Sequence, residues 1–167
     1  VLSLARERRV GTITMEGIAA RAAVSKQTLY RSWPSTGSIL FDALLARSVD
    51  ASGTVVVPDS GDLTRDLEAL ATGTIEELTG PTQDPLLRAV TAEIQSDVHL
   101  AAQYRDRLLA PQLAAVADRF RKSGAPDPDG AAELFVGPIL HRWLLRTGPF
   151  DGDWVTTHVG RVTRAVT

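Results

Sequence analysis

Residues 11–41 read GTITMEGIAARAAVSKQTLYRSWPSTGSILF, and this stretch decides the fold. Thr14 has the side chain of a helix N-cap. It is followed by Met15 to Ala22, with Glu16 in the first turn, where a carboxylate meets the helix dipole favourably. Ser25 offers a second cap and opens a helix over 26–33. Pro34 stops that helix, because it has no N–H to donate and restricts the residue before it. Ser35 then caps a longer helix reaching about residue 49. Ile18, Ala19 and Ala22 share one face of the first helix, Val24 sits in the turn, and Leu29 falls on the inner face of the second. Small residues at 19 and 22 let the two helices cross closely while Val24 and Leu29 fill the gap. The pattern is two short helices joined by a tight turn.

Working outward, the rest of the chain is also helical in pattern. Residues 2–9 form a first helix ended near Gly11, and since the chain starts at Val1 inside that helix, a leading segment is expected before it. Residues 51–61, rich in Ser, Gly, Pro and Asp, read as a connector; Val55 to Val57 have no second strand to pair with. Helices then follow over 63–78, 85–96, 100–122, 130–146 and 154–166, divided by Gly80-Pro81, Asp97, residues 124–129 and Gly148-Pro149. Pro111 and Pro138 are expected to kink or interrupt their helices. The expected architecture is all-α. It has a helix-turn-helix head with a connecting fourth helix in residues 1–50, and a larger helical body in 51–167.

Bulk properties exclude several classes. Of 167 residues, 44% are apolar and 23% charged, which is the composition of a globular chain. The absence of cysteine removes disulfides, thiolate metal sites and cysteine nucleophiles together, and suits the cytoplasm. No apolar run approaches the ~18 residues a membrane span needs, and no signal-peptide pattern is present. His99, His141 and His158 are too scattered for a zinc pair. Glu93 and Asp97 form an i, i+4 carboxylate pair without the Glu-x-x-His of a helical metal site. No Gly-x-Ser-x-Gly or phosphate loop occurs. No catalytic residue, metal or cofactor is therefore expected.

The net charge of −2 conceals an asymmetry: residues 1–33 carry six Lys/Arg against two Asp/Glu, net +4, leaving −6 for the remainder. One basic end on an acidic body suits a chain that meets phosphate at that end. With Leu29 turned inward, Lys26, Gln27, Thr28, Tyr30 and Arg31 occupy the outer arc of 26–33, a segment without an acid. Gln27 and Lys26 can read base edges, the Thr28 methyl can meet thymine, and Tyr30 and Arg31 can donate to phosphate. Eight residues make a helix of ~12 Å, about the ~12 Å width of the major groove.

The string Thr-Met-x-x-Ile-Ala-x-x-Ala-x-Val-Ser-Lys-x-Thr-Leu-Tyr-Arg, residues 14–31, resembles the TetR/AcrR family of one-component bacterial transcriptional regulators. Weaker echoes in the body, Leu108 to Leu113, Val136 to Trp143 and Thr147 to Pro149, look like the C-terminal domain of one large subgroup. The resemblance implies DNA contacts at Lys26, Gln27, Thr28, Tyr30, Arg31 and Ser32, with capping and backbone contacts at Thr14 and Ser25. Two positions depart from the family pattern. Ala23 stands where the turn usually has glycine, at a site needing φ > 0. Thr36 stands where a phosphate-gripping lysine usually opens the fourth helix, leaving a hydroxyl for that contact.

In the body, the 130–146 helix is apolar nearly all round, and the last helix carries a stripe with Trp154, Val155, Val159 and Val162. With Leu140 and Leu144 these form the expected interface of a two-fold homodimer, which would read a pseudo-palindromic double-stranded operator. The resemblance also implies a small-molecule effector pocket among the middle helices, with His99, Tyr104, Phe135, Ile139 and Trp143 as candidate lining. The expected function is a transcriptional regulator, a repressor by the commoner mode of the family. The alternative is a protein of the same fold that acts through a protein partner without DNA.

Overall fold

The computed structural model describes residues 13–48 and 56–166. Among them every regular element is helical: α1 (Met15–Ala22), α2 (Lys26–Ser32), α3 (Thr36–Ser48), α4 (Leu63–Thr79), α5 (Gln83–Glu93), α6 (Val98–Tyr104), α7 (Ala110–Lys122), α8 (Pro128–Leu145) and α9 (Gly152–Val166). A π-helical turn, Arg105–Leu109, joins α6 to α7. The helix expected over 2–9 and most of the connector lie outside the described residues.

The π turn answers the question raised by Pro111. A proline cannot donate to the carbonyl four residues back, and its ring collides with that carbonyl. Widening the preceding turn relieves both problems, and Pro111 then falls in the first turn of α7, where no donor is missed. Pro138 lies inside α8, which runs on through it to Leu145.

The chain divides into two compact units, and the division is not the head-and-body split at residue 50. Residues 13–48 group with Gly80–Leu108, and residues 56–79 with 109–166. In the first unit, Ile13, Met15, Ile18, Ala19 and Leu29 form a small core under the turn, and Ile39, Leu40, Phe41 and Leu44 of α3 extend it. Leu86, Leu87, Ala89 and Val90 of α5, with Leu100 of α6, complete it. Gly37 permits the close approach. A Cβ there would lie 2.8 Å from Leu100 Cδ2 and 3.3 Å from Glu93 Cβ, so a side chain at this position would force Leu100 and Glu93 to shift. Asp97 caps α6 through its carboxylate, bonded to the amides of His99 and Leu100 at 3.0 Å each.

The second unit packs α4, α7, α8 and α9 around Leu67, Ala71, Phe120, Phe135, Ile139, Val159 and Val162. Phe120 meets Phe135 edge-on at 6.5 Å. Two buried polar features lie within this core. Asp66, 2% exposed, takes Arg119 at 2.8 Å, the Ser60 hydroxyl at 2.7 Å and the Ser60 amide. Burial alone would raise the Asp66 pKa, but the Ser60 and Arg119 bonds outweigh it and hold the carboxyl below its ordinary value. Asp59 joins the cluster through Lys122 at 2.7 Å, so the segment leading into α4 is tied to α7.

The second feature is His158, which bonds the Phe135 carbonyl at 2.8 Å and stacks between Phe135 and Trp154, at 5.7 and 5.0 Å. A carbonyl only accepts, so Nε2 carries the proton. Burial lowers the His158 pKa, the Phe135 carbonyl pulls it back up, and Arg161 lowers it further. The net direction is downward, which keeps the folded imidazole neutral.

Candidate nucleic-acid interface

The local order of the turn follows from its caps. Thr14 Oγ1 accepts the Gly17 amide at 3.1 Å and starts α1. Ala23 ends it in the left-handed region, φ 53° and ψ 38°, with its amide returning to Ala20 and the Val24 amide to Ala19. The positive φ expected at this alanine is therefore present, and its methyl is exposed. Ser25 then caps α2, accepting the Thr28 amide at 3.1 Å and pairing with the Thr28 hydroxyl at 2.8 Å. Trp33 closes α2 one residue earlier than the sequence pattern, and its indole donates to Asp42 at 2.8 Å. Asp42 also faces Arg107 at 3.7 Å.

The register of α2 is the expected one. Leu29 is its buried residue, at 6% exposure, while Tyr30 is 51% exposed and Lys26, Gln27, Thr28, Arg31 and Ser32 are exposed. Thr14 and Ser25 are exposed caps, and Thr36 is half-buried at the start of α3. Details of the turn differ from the sequence reading. Ala22 faces solvent, and Val24 is 39% exposed rather than filling the gap, which Met15, Ile18 and Ala19 close instead. The segment 26–31 has no acid of its own, yet the fold brings one to it: Glu16 Oε1 lies 2.6 Å from Lys26 Nζ. The mutual hydrogen bond is the main cause that lowers the Glu16 pKa and raises that of Lys26, so both are charged across the neutral range.

The body candidates scatter. Phe135, Ile139 and Trp143 are buried core residues of the second unit. His99 is exposed, and Tyr104 is half-buried against Phe41, ring centroids 6.1 Å apart; both belong to the first unit. A cleft of about 360 Å³ in the second unit is instead bordered by Glu68, Ile75, Glu76, Phe150, Asp151 and Val155.

The expected interface residues also divide. Val159 and Val162 are 0% and 1% exposed, so they are used within their own unit and cannot meet a partner. Trp154 and Val155 are half-buried; Trp154 packs against Phe150 at 5.2 Å and lies under Arg142. Leu140 is half-buried and Leu144 is 45% exposed. Leu134 and Leu145, not expected there, are 45% and 61% exposed on the same helix. The signal for them was the all-round apolar pattern of α8: one face went to the core and the other remains uncovered. His158 and the Asp66–Arg119 pair had no comparable signal, because their burial depends on contacts distant in sequence.

Among the described residues no group of three His, Cys, Asp or Glu could hold a metal ion, and no helix is long and apolar enough to cross a membrane. Residues 57–162 match the family described as the tetracyclin repressor-like, C-terminal domain. The chain is 28% identical over 156 residues to the uncharacterized HTH-type transcriptional regulator YdeS of Bacillus subtilis, covering 89% of this chain and 77% of that protein. It is 28% identical over 148 residues to the HTH-type transcriptional regulator AqdR of Rhodococcus erythropolis, covering 85% and 69% respectively. The crystal structure of the TetR family transcription regulator SCO0332 superposes with a TM-score of 0.74 at 28% identity, covering 99% of this chain and 93% of that one.

Proposed function

Since the chain belongs to the TetR family of HTH-type transcriptional regulators, we propose that it binds a pseudo-palindromic double-stranded operator as a homodimer, represses transcription there, and is modulated by a small-molecule effector in the cytoplasm. The observation that carries the DNA-binding part is the disposition of α2. Its buried Leu29 anchors a short rod whose outward side chains are polar or basic. Gln27 and Lys26 stand as base readers; Tyr30, Arg31, Ser32 and Thr36, with the caps Thr14 and Ser25, stand as backbone contacts.

The uncovered α8 leucines 134, 144 and 145 support the dimer, because exposed apolar side chains grouped on one helix are costly unless a partner covers them. The effector part has slighter support: an effector that entered the core of the second unit among Phe135, Ile139 and Trp143 would meet His158 as its buried polar partner. It would regulate only by binding one arrangement of the protein more tightly than another.

Selection of bound fragments from a random duplex library, followed by titration across a salt series, tests the DNA reading. A DNA reader loses affinity steeply as salt rises. Failure to enrich any sequence, with no salt-dependent binding, would support the protein-partner alternative.

A further inference from the structure

We infer that Glu16 is a guard on Lys26: in the free head its carboxylate occupies the ammonium, and this holds down affinity for duplex of arbitrary sequence. The inference rests on the reading of α2 as the DNA-facing helix.

Three observations carry it. The pair links the first turn of α1 to the first residue of α2 at 2.6 Å, with the two side chains 56% and 57% exposed. An exposed pair of this kind adds little stability. A lysine at the first position of a helix also opposes the helix dipole, so local stability does not explain its presence. Finally, Glu16 is the one acid in residues 13–33, against Arg21, Lys26 and Arg31, and the fold sets it on the cation that opens the reading helix.

The consequence is a difference between DNA sequences. Parting Lys26 from Glu16 costs the same on every duplex. Only a site that presents a base-edge acceptor, such as guanine O6 or N7, within reach of Lys26 compensates for that cost. Elsewhere the carboxylate competes with phosphate for the ammonium, and fewer counterions are released from the backbone. Both partners keep their charge through the neutral range, so the guard does not depend on pH there.

The test uses the whole chain with a random duplex and a duplex recovered by selection, comparing wild type with Glu16→Gln. The variant is expected to bind random duplex more tightly and to reduce the ratio of selected to random affinity. Its salt dependence should steepen by up to about 0.9 per head in log–log slope, at most roughly a 3.5-fold larger gain across a fourfold fall in salt. In a Lys26→Gln background the same change should have a much smaller effect. An unchanged slope and ratio would overturn the inference, and so would an equal effect in both backgrounds, since Glu16 would then act as a bare charge. Those results leave wild-type DNA binding standing. Absence of salt-dependent binding by wild type would instead remove the function itself and the guard with it.

Discussion

Ala23→Gly tests the turn at its most unusual residue. Ala23 sits at φ 53° and ψ 38° with its methyl exposed, so glycine removes strain and loses no packing. A left-handed L-residue costs about 1–2 kcal/mol. Glycine returns about 0.4–1 kcal/mol of that, because the unfolded chain gains conformational freedom. The net gain is about 0.5–1 kcal/mol, which raises the midpoint by about 1–4 °C for a chain of this length. Ala20→Gly is the internal control: that alanine is exposed in the body of α1, where the same change should cost about 0.5–1 kcal/mol. Thermal unfolding followed by circular dichroism, with urea denaturation alongside, reads both signs. Opposite shifts from one chemical change three residues apart are the expected result. If Ala23→Gly lowers the midpoint as Ala20→Gly does, residue 23 is not left-handed in solution and the turn geometry is wrong.

Other perturbations probe separate parts of the molecule. Gln27→Ala should weaken binding to the selected duplex by about 1–3 kcal/mol and relax choice at one base position, with unfolding unchanged; an intact preference would place the reading register elsewhere. Phe135→Ala, at a core position 1% exposed, should cost about 3–5 kcal/mol in urea unfolding, and a loss below 1 kcal/mol would mean this core is not packed as described. Leu144→Asp combined with Leu145→Asp should give monomers by sedimentation with helical content retained, the thermal midpoint falling to that of the lone subunit, whereas an unchanged mass would remove α8 from the interface. His158 has a lowered folded pKa, so the unfolded chain binds more protons between that value and about 6.5. Its stabilising contribution should be full above about pH 6.5 and lost as pH falls through that window, and His158→Gln should flatten this part of the stability profile.

What the sequence made legible follows physical range. The caps at Thr14 and Ser25, the stop at Pro34 and the inward Leu29 are set by neighbours within four residues, and all are found as read. The left-handed Ala23 was expected only through the family resemblance, in which glycine usually holds that place. Long-range pairing was not legible. Glu16 and Lys26 are ten positions apart, and their meeting depends on how two helices cross. Asp66 and Arg119 are separated by 53 residues. Of the stripe read on α9, Val159 and Val162 are buried within their own unit while Trp154 and Val155 are half-buried: periodicity identifies a face that must be buried, not the surface that buries it. The grouping of Gly80–Leu108 with the head was hidden too, because nothing near α5 announces that this helix packs on α3. Ends moved by one to three residues, as at Glu93 and at Trp33, where the indole bonds Asp42 and the backbone is extended.

That indole has a practical consequence. Of the three tryptophans in the chain, Trp33 alone belongs to the first unit, at the tail of α2 and bonded to a carboxylate on α3; Trp143 and Trp154 belong to the second. With Trp143 and Trp154 replaced by Phe, the indole emission, excited beyond the tyrosine absorption band, would come from one place in the molecule. The head carries its own dye, and its engagement with a duplex can be followed by light without any label attached.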